Sequence, residues 1–188
     1  MPPLPPPEER SLRAIGARRR MPPAPTVAEL VRELRVAAQE GPGLVAVLDA
    51  EGVAGERHLL SAWAHLGRSR ARGAERLRDR SAEFVLYVAG DDQLPRALVK
   101  VGVGDATQRF VVVAERPRDP AALLDRFGLV ADPEAFPRRV TAETLDRLGI
   151  DAVDRGSVSP SSWEGLVLER VALVDLSTAA GRSPTPKP

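Results

Sequence analysis

The stretch 81–113, SAEFVLYVAGDDQLPRALVKVGVGDATQRFVVV, constrains the fold more than any other part of the chain. It reads as a helix, a tight corner, a second helix and a buried strand. Leu77, Ser81, Phe84, Val85 and Val88 share one side of a helix, at steps of four, three, one and three. Arg76, Arg80, Glu83 and Tyr87 form the opposite stripe. Gly90 supplies the left-handed residue that stops the helix. Asp92 is placed to cap the next helix, with Pro95 tolerated in its first turn. Leu94, Ala97, Leu98 and Val101 give that helix an apolar i, i+3, i+4, i+7 face, and Gln93, Arg96 and Lys100 line its other side. Gly102 ends it. The β-branched run from Phe110 to Val113 is the pattern of a strand covered on both faces. The run 84–89 is apolar enough to be a strand itself, but the charged approach from Ala74 and the opposed stripes favour a helix.

The rest of the chain supplies elements to pack around that unit. Residues 1–11 are proline-rich and expected to be an extended, disordered tail. Residues 12–18 read as a first strand, and Pro22, Pro23 and Pro25 break the chain after it. Thr26 followed by Glu29 is a capping box, with Val27, Leu30, Val31 and Leu34 facing inward. Leu44 to Leu48 reads as a central strand. A helix from about Glu56 to Gly67 buries Leu59, Ala62, Trp63 and Leu66. Asp119-Pro120 starts another helix, with Leu123, Leu124 and Phe127 inward and Gly128 as its stop. Thr141 caps a short helix carrying Leu145 and Leu148, ended by Gly149. Ser161 and Glu164 form a second capping box before a last helix with Trp163, Leu166, Val167, Val171 and Val174 on one face. Residues 178–188 read as a second disordered tail. The expected fold is α/β (α+β): one small domain over residues 12–177, with helices packed on a short mixed sheet.

Composition closes off several chemistries. The 188 residues include no cysteine, so no disulfide framework, iron–sulfur centre or thiolate zinc site is available. No apolar run reaches the roughly 18 residues of a membrane span, and the N-terminus lacks the apolar core of a secretory signal. A soluble, cytoplasmic protein is expected. No phosphate-loop motif or serine nucleophile elbow is present, and Gly102-Val103-Gly104 precedes a strand, not a helix. His58 and His65 stand seven apart, two turns or about 10 Å along a helix, too far to share a metal. Net charge is only +1, so no global field attracts nucleic acid. Only two of the 27 basic residues are lysine, and arginines cluster at 18–20 and along 68–80. Neither a cofactor nor catalysis is expected.

Three blocks, in order, resemble one family. The first is Asp49-Ala50-Glu51-x-Val53-x-Gly55-x-x-His58-Leu59-x-x-Ala62. The second is Arg80-Ser81-x-Glu83-x-x-Leu86-Tyr87-x-Ala89-Gly90-x-x-Gln93-Leu94-x-x-Ala97-Leu98-x-x-Val101-Gly102-Val103, and the third runs 169–176, ERVALVDL. With Ile15-Gly16 in the first strand, they resemble the KEOPS-complex subunit related to the PRPK-binding protein (TPRKB), over roughly residues 12–177. The family usually carries a threonine and a basic residue after the corner glycine, where this chain has Asp91 and Asp92.

The resemblance implies a non-catalytic subunit. Its partner would be the atypical kinase/ATPase subunit of KEOPS. It would capture tRNA, including the 3′ CCA end, for threonylcarbamoyl-adenosine modification. The chemistry would belong to a separate threonylcarbamoyl transferase subunit. A protein that grips a single-stranded end needs cations for phosphates and planar surfaces for bases. On this expectation His58 meets a base, Arg68, Arg70 and Arg72 meet phosphates, and Gln93, Arg96 and Lys100 extend the track. Two rivals are a pure protein-interaction activator of the kinase without RNA contact, and a small enzyme using His58 with Asp49 or Glu83.

Overall fold

Four short runs rich in valine, leucine and alanine make the sheet: β1 (Leu12–Arg19), β2 (Val45–Asp49), β3 (Arg109–Glu115) and β4 (Leu129–Ala131). They belong to a computed structural model that describes residues 12–20 and 26–180, with the side chains of 177–180 left out. The strand order is β2-β3-β1-β4, and every pairing is antiparallel. The expected mixed sheet is therefore corrected to an antiparallel one. β2, expected in the centre, is an edge strand. All five of its residues are buried because helices cover both of its faces. Its hydrophobicity reports those faces, not neighbours on both edges.

Helices layer both sides of the sheet. On one face lie α2 (Glu56–Ala71), α3 (Arg80–Ala89), α4 (Leu94–Val101), α6 (Ala142–Leu148) and α8 (Trp163–Ala180), around Val111 and Val113 of β3. On the other lie α1 (Val27–Gln39) and α5 (Pro120–Leu123), around Phe110 and Val112. Alternate β3 residues thus enter two separate cores, which explains a continuous apolar run. The three-residue β4 and the short α7 (Ala152–Gly156) have no signal of their own in the sequence. Residues 178–180 continue α8 instead of opening a tail. The expected breaks at Pro22, Pro23 and Pro25 and the rest of the tails lie outside the described residues.

Helix ends follow local chemistry closely. Thr26 and Glu29 form the reciprocal capping box, Asp79 accepts from Ser81 N and Ala82 N to open α3, and Thr141 accepts from Thr144 N. Gly90 and Gly149 stop α3 and α6 at φ 60° and 75°. Two expectations fail. Asp91, not Asp92, accepts from Gln93 N (3.0 Å) at the α4 corner. Glu164 reaches Arg57 (2.7 Å), and no capping box with Ser161 forms. Arginines close other ends: Arg118 donates to Ala37 O and Gly41 O past α1, and Arg170 donates to Gly149 O (2.6 Å) past α6.

Gly16 is required by a crossing. The segment after β4 passes so close to β1 that a Cβ on Gly16 would lie 2.4 Å from Asp132 O and 2.5 Å from Phe136 N. Asp132 N donates to Gly16 O (2.9 Å) at the same point. Both obstructing atoms are backbone. Gly16→Ala is expected to lower unfolding free energy by about 2–3 kcal/mol, the usual cost of overpacking. Urea denaturation checks this, and a loss below about 0.5 kcal/mol would show that the crossing segment yields freely.

Candidate nucleic-acid interface

The expected RNA track does not assemble as a surface. His58 is fully buried at the start of α2. Ala54 N donates to its Nδ1 (3.1 Å), so Nδ1 holds a lone pair, and Nε2–H donates to Val88 O of α3 (2.9 Å). The ring is a strut between α2 and α3 and cannot stack on a base. Neither nitrogen meets Asp49 or Glu83, so the pairings behind the small-enzyme rival do not form. Burial lowers the His58 pKa to about 4, although the Val88 carbonyl works the other way.

Arg70 is turned inward too. Its guanidinium donates to Leu77 O (3.0 Å) and Arg78 O (3.1 Å) and lies 3.2 Å from the fully buried Glu83 carboxylate. Arg76 N donates to the other Glu83 oxygen (3.1 Å). Arg72 is half-exposed and faces Asp175 at 3.6 Å. Arg68 is exposed, with no ion pair to any described residue. At the other end of α3, Asp91 lies 3.0 Å from Arg96 and 3.1 Å from Lys100, and Asp92 takes Arg96 at 2.8 Å. Burial works against the Asp91 charge, but the Gln93 N–H, Lys100 and Arg96 outweigh it and lower its pKa. The two acids at the corner thus neutralise the two cations of the expected track. Gln93 is exposed. Arg68 and Arg72 sit at the C-terminal end of α2, near the start of α3, while Gln93, Arg96 and Lys100 follow the end of α3. The structure does not join the two groups.

What does come together is the set of motif blocks. Tyr87 OH donates to Asp175 Oδ1 (2.9 Å), and His65 Nδ1 meets Asp175 Oδ2 (2.8 Å), with the His65 and Tyr87 rings stacked at 6.0 Å. This ties α2, α3 and α8. Burial and the adjacent carboxylate push Tyr87 up to about 12. Asp49 accepts from Thr107 Oγ1 (2.9 Å), Arg147 (2.9 Å) and Glu51 N (3.0 Å), which fixes the loop leading into α2. Asp49, His58, Glu83, Tyr87 and Asp175 are all committed to internal contacts.

Two more exposed cations lie elsewhere. A cleft of about 580 Å³ is lined by Ala54, Arg138, Arg139, Thr141, Ser161 and Trp163, among others. Arg138 and Arg139 are exposed and form no ion pair with a described residue. Glu164, at the same cleft, is held by Arg57. A second cavity of about 490 Å³ continues past the same two arginines. Gly55 opens the 16-residue α2 at this point without a side-chain cap, with φ 114°. Trp163 gives one wall a planar ring, and its buried indole N–H has no partner among the described residues. Sequence reading missed this cleft. The available signal was an Arg-Arg pair with no acid between Glu134 and Glu143. Comparison with protein-family models and with curated proteins finds no match for the chain.

Two outcomes test these assignments. Arg70→Met strands the buried Glu83 charge and is expected to cost about 3–5 kcal/mol in chemical denaturation, whereas Arg68→Glu changes stability by less than about 0.5 kcal/mol. For His58 the folded pKa of about 4 lies below its ordinary 6.5. The unfolded chain therefore binds the extra proton between those values. Its contribution is complete above pH 6.5 and declines as pH falls to about 4, by about 3 kcal/mol in all. His58→Gln keeps an acceptor and a donor but does not titrate. Its stability should decline less than the parent's through this window, because only the carboxylates then titrate.

Proposed function

We propose that the chain is a non-catalytic subunit of the KEOPS type that binds an atypical kinase/ATPase partner and captures tRNA through its single-stranded 3′ end. The observation that carries this reading is the interlock of the three resembling blocks. The first holds the second through His58 and Val88, and the second holds the third through Tyr87 and Asp175. Residues that look like a family signature therefore act together on one structural unit. The RNA contacts are reassigned from the expected track to the cleft at Arg138 and Arg139. That cleft combines two guanidinium groups without an ion pair among the described residues and an indole ring, the components a single-stranded end requires.

One observation favours the alternative, a kinase-binding activator without RNA contact. Arg70, Arg96 and Lys100 are each matched to an acid of this same chain. The experiment that separates the readings measures binding of tRNA with and without its 3′ CCA end at several salt concentrations. The tRNA-capture reading expects weaker binding without CCA. It also expects Arg138→Glu/Arg139→Glu to lower affinity at least tenfold and to reduce the slope of log affinity against log salt by roughly 1.4. Unchanged affinity in the double variant would remove the cleft from the proposal. Capture of the kinase subunit together with no affinity for either RNA would establish the alternative.

A further inference from the structure

β2 is an edge strand with a prepared groove along its open side. In the β2–β3 ladder, Glu115 N donates to Leu44 O (3.0 Å), and Ala46 and Leu48 stand opposite Val113 and Val111. Antiparallel pairing alternates, so Val45, Val47 and Asp49 turn their backbone groups away from β3. The outward N–H of Val45 donates to Ser81 Oγ (3.1 Å). The outward N–H and C=O of Val47 meet no described residue, although the Val47 side chain is buried. Unpaired backbone on a buried edge is the template for strand addition.

The groove beside it has a volume of about 340 Å³. Its floor is the free edge of β2 from Val45 to Leu48. One wall is α1, with Val31, Leu34 and Arg35; the other is Val85 of α3 with Leu94 and Leu98 of α4. Leu98 is 50% exposed, a large apolar group only half covered by protein. The end beside Val45 is basic. Arg35 and Arg78 line the adjoining opening, both exposed and without an ion pair to any described residue. Asp79 at the same place is occupied in capping α3.

We propose that this groove receives an extended segment of a partner protein as a fifth strand beside β2. The segment continues the antiparallel order, pairs with the outward groups of Val47, and points successive apolar side chains alternately at Leu34 and at Leu98. An acidic residue near its C-terminal end lies against Arg35 and Arg78, because an antiparallel neighbour ends where β2 begins. Main-chain bonds supply affinity, and the side-chain positions supply selectivity. The inference stands independently of the RNA reading and concerns the free edge of β2, which lines neither cavity at Arg138 and Arg139.

The test selects displayed nine-residue peptides against the full chain and follows the winners as labelled synthetic peptides. Expected winners carry a run of consecutive apolar residues, the pattern of a strand covered on both faces, and Asp or Glu toward the C-terminus. Their binding should slow hydrogen exchange at the Val47 amide. Leu98→Glu should weaken them at least tenfold, and Arg35→Glu/Arg78→Glu should abolish the preference for the acid. All three positions are exposed, so the fold is retained, and a matching melting curve verifies it. Failure to select any peptide, winners that bind Leu98→Glu equally well, or an unprotected Val47 amide would each overturn the proposal. A concentration-dependent dimer that Leu98→Glu dissolves would also overturn it, by giving the edge to a second copy of this chain.

Discussion

The packing of α2 against α3 depends on keeping one imidazole uncharged. His58 fills a site where the donor and the acceptor are both backbone atoms, Ala54 N and Val88 O, in fixed positions. Only a ring with one proton, on Nε2, satisfies both. A second proton on Nδ1 would face the Ala54 N–H and would leave a cation in a dry interior. The loop 49–55, the start of α2 and the end of α3 share this joint. The Asp49 contacts brace it from the sheet side, and the Tyr87–Asp175–His65 cluster braces it further along α2.

The elements were largely legible because their ends are local chemistry. Capping residues, prolines in first turns and stop glycines act within a few residues of themselves, so Thr26, Thr141, Gly90 and Gly149 are readable in isolation. What could not be read is anything set by distant neighbours. β2 looked central because burial from above and below leaves the same pattern as a strand on each side. The second stripe of α3 carries Glu83 and Tyr87, whose surroundings no local pattern reveals. Both are buried, since α2, α4 and α8 pack around α3 and bring Arg70 and Asp175 to meet them. Asp91 rather than Asp92 took the α4 corner for a similar reason. Lys100, nine positions on, closes over it.

The candidate site was less legible than the fold. Listing arginines by position says nothing about which of them an acid of the same chain already holds. Of the seven residues expected to face RNA, His58 and Arg70 are structural, while Arg72, Arg96 and Lys100 sit beside carboxylates. Arg68 and Gln93 stay open. The pair Arg138-Arg139 lies in a proline-containing connection with no periodicity to draw attention to it, and only the tertiary path brings it beside the start of α2. Surface chemistry is decided by what remains after internal pairing, and internal pairing is a long-range property.

The guanidinium groups that reach main-chain carbonyls carry one more implication. Arg118 spans Ala37 O and Gly41 O, Arg70 spans Leu77 O and Arg78 O, and Arg170 holds Gly149 O. Arg118 uses both terminal nitrogens of its planar fork, a geometry a lysine ammonium lacks. The arginine-heavy composition is here part of the architecture. A lineage drifting toward lysine codons could exchange the solvent-facing arginines freely. At these positions it would first have to find other ways to finish its helices and hold its connections.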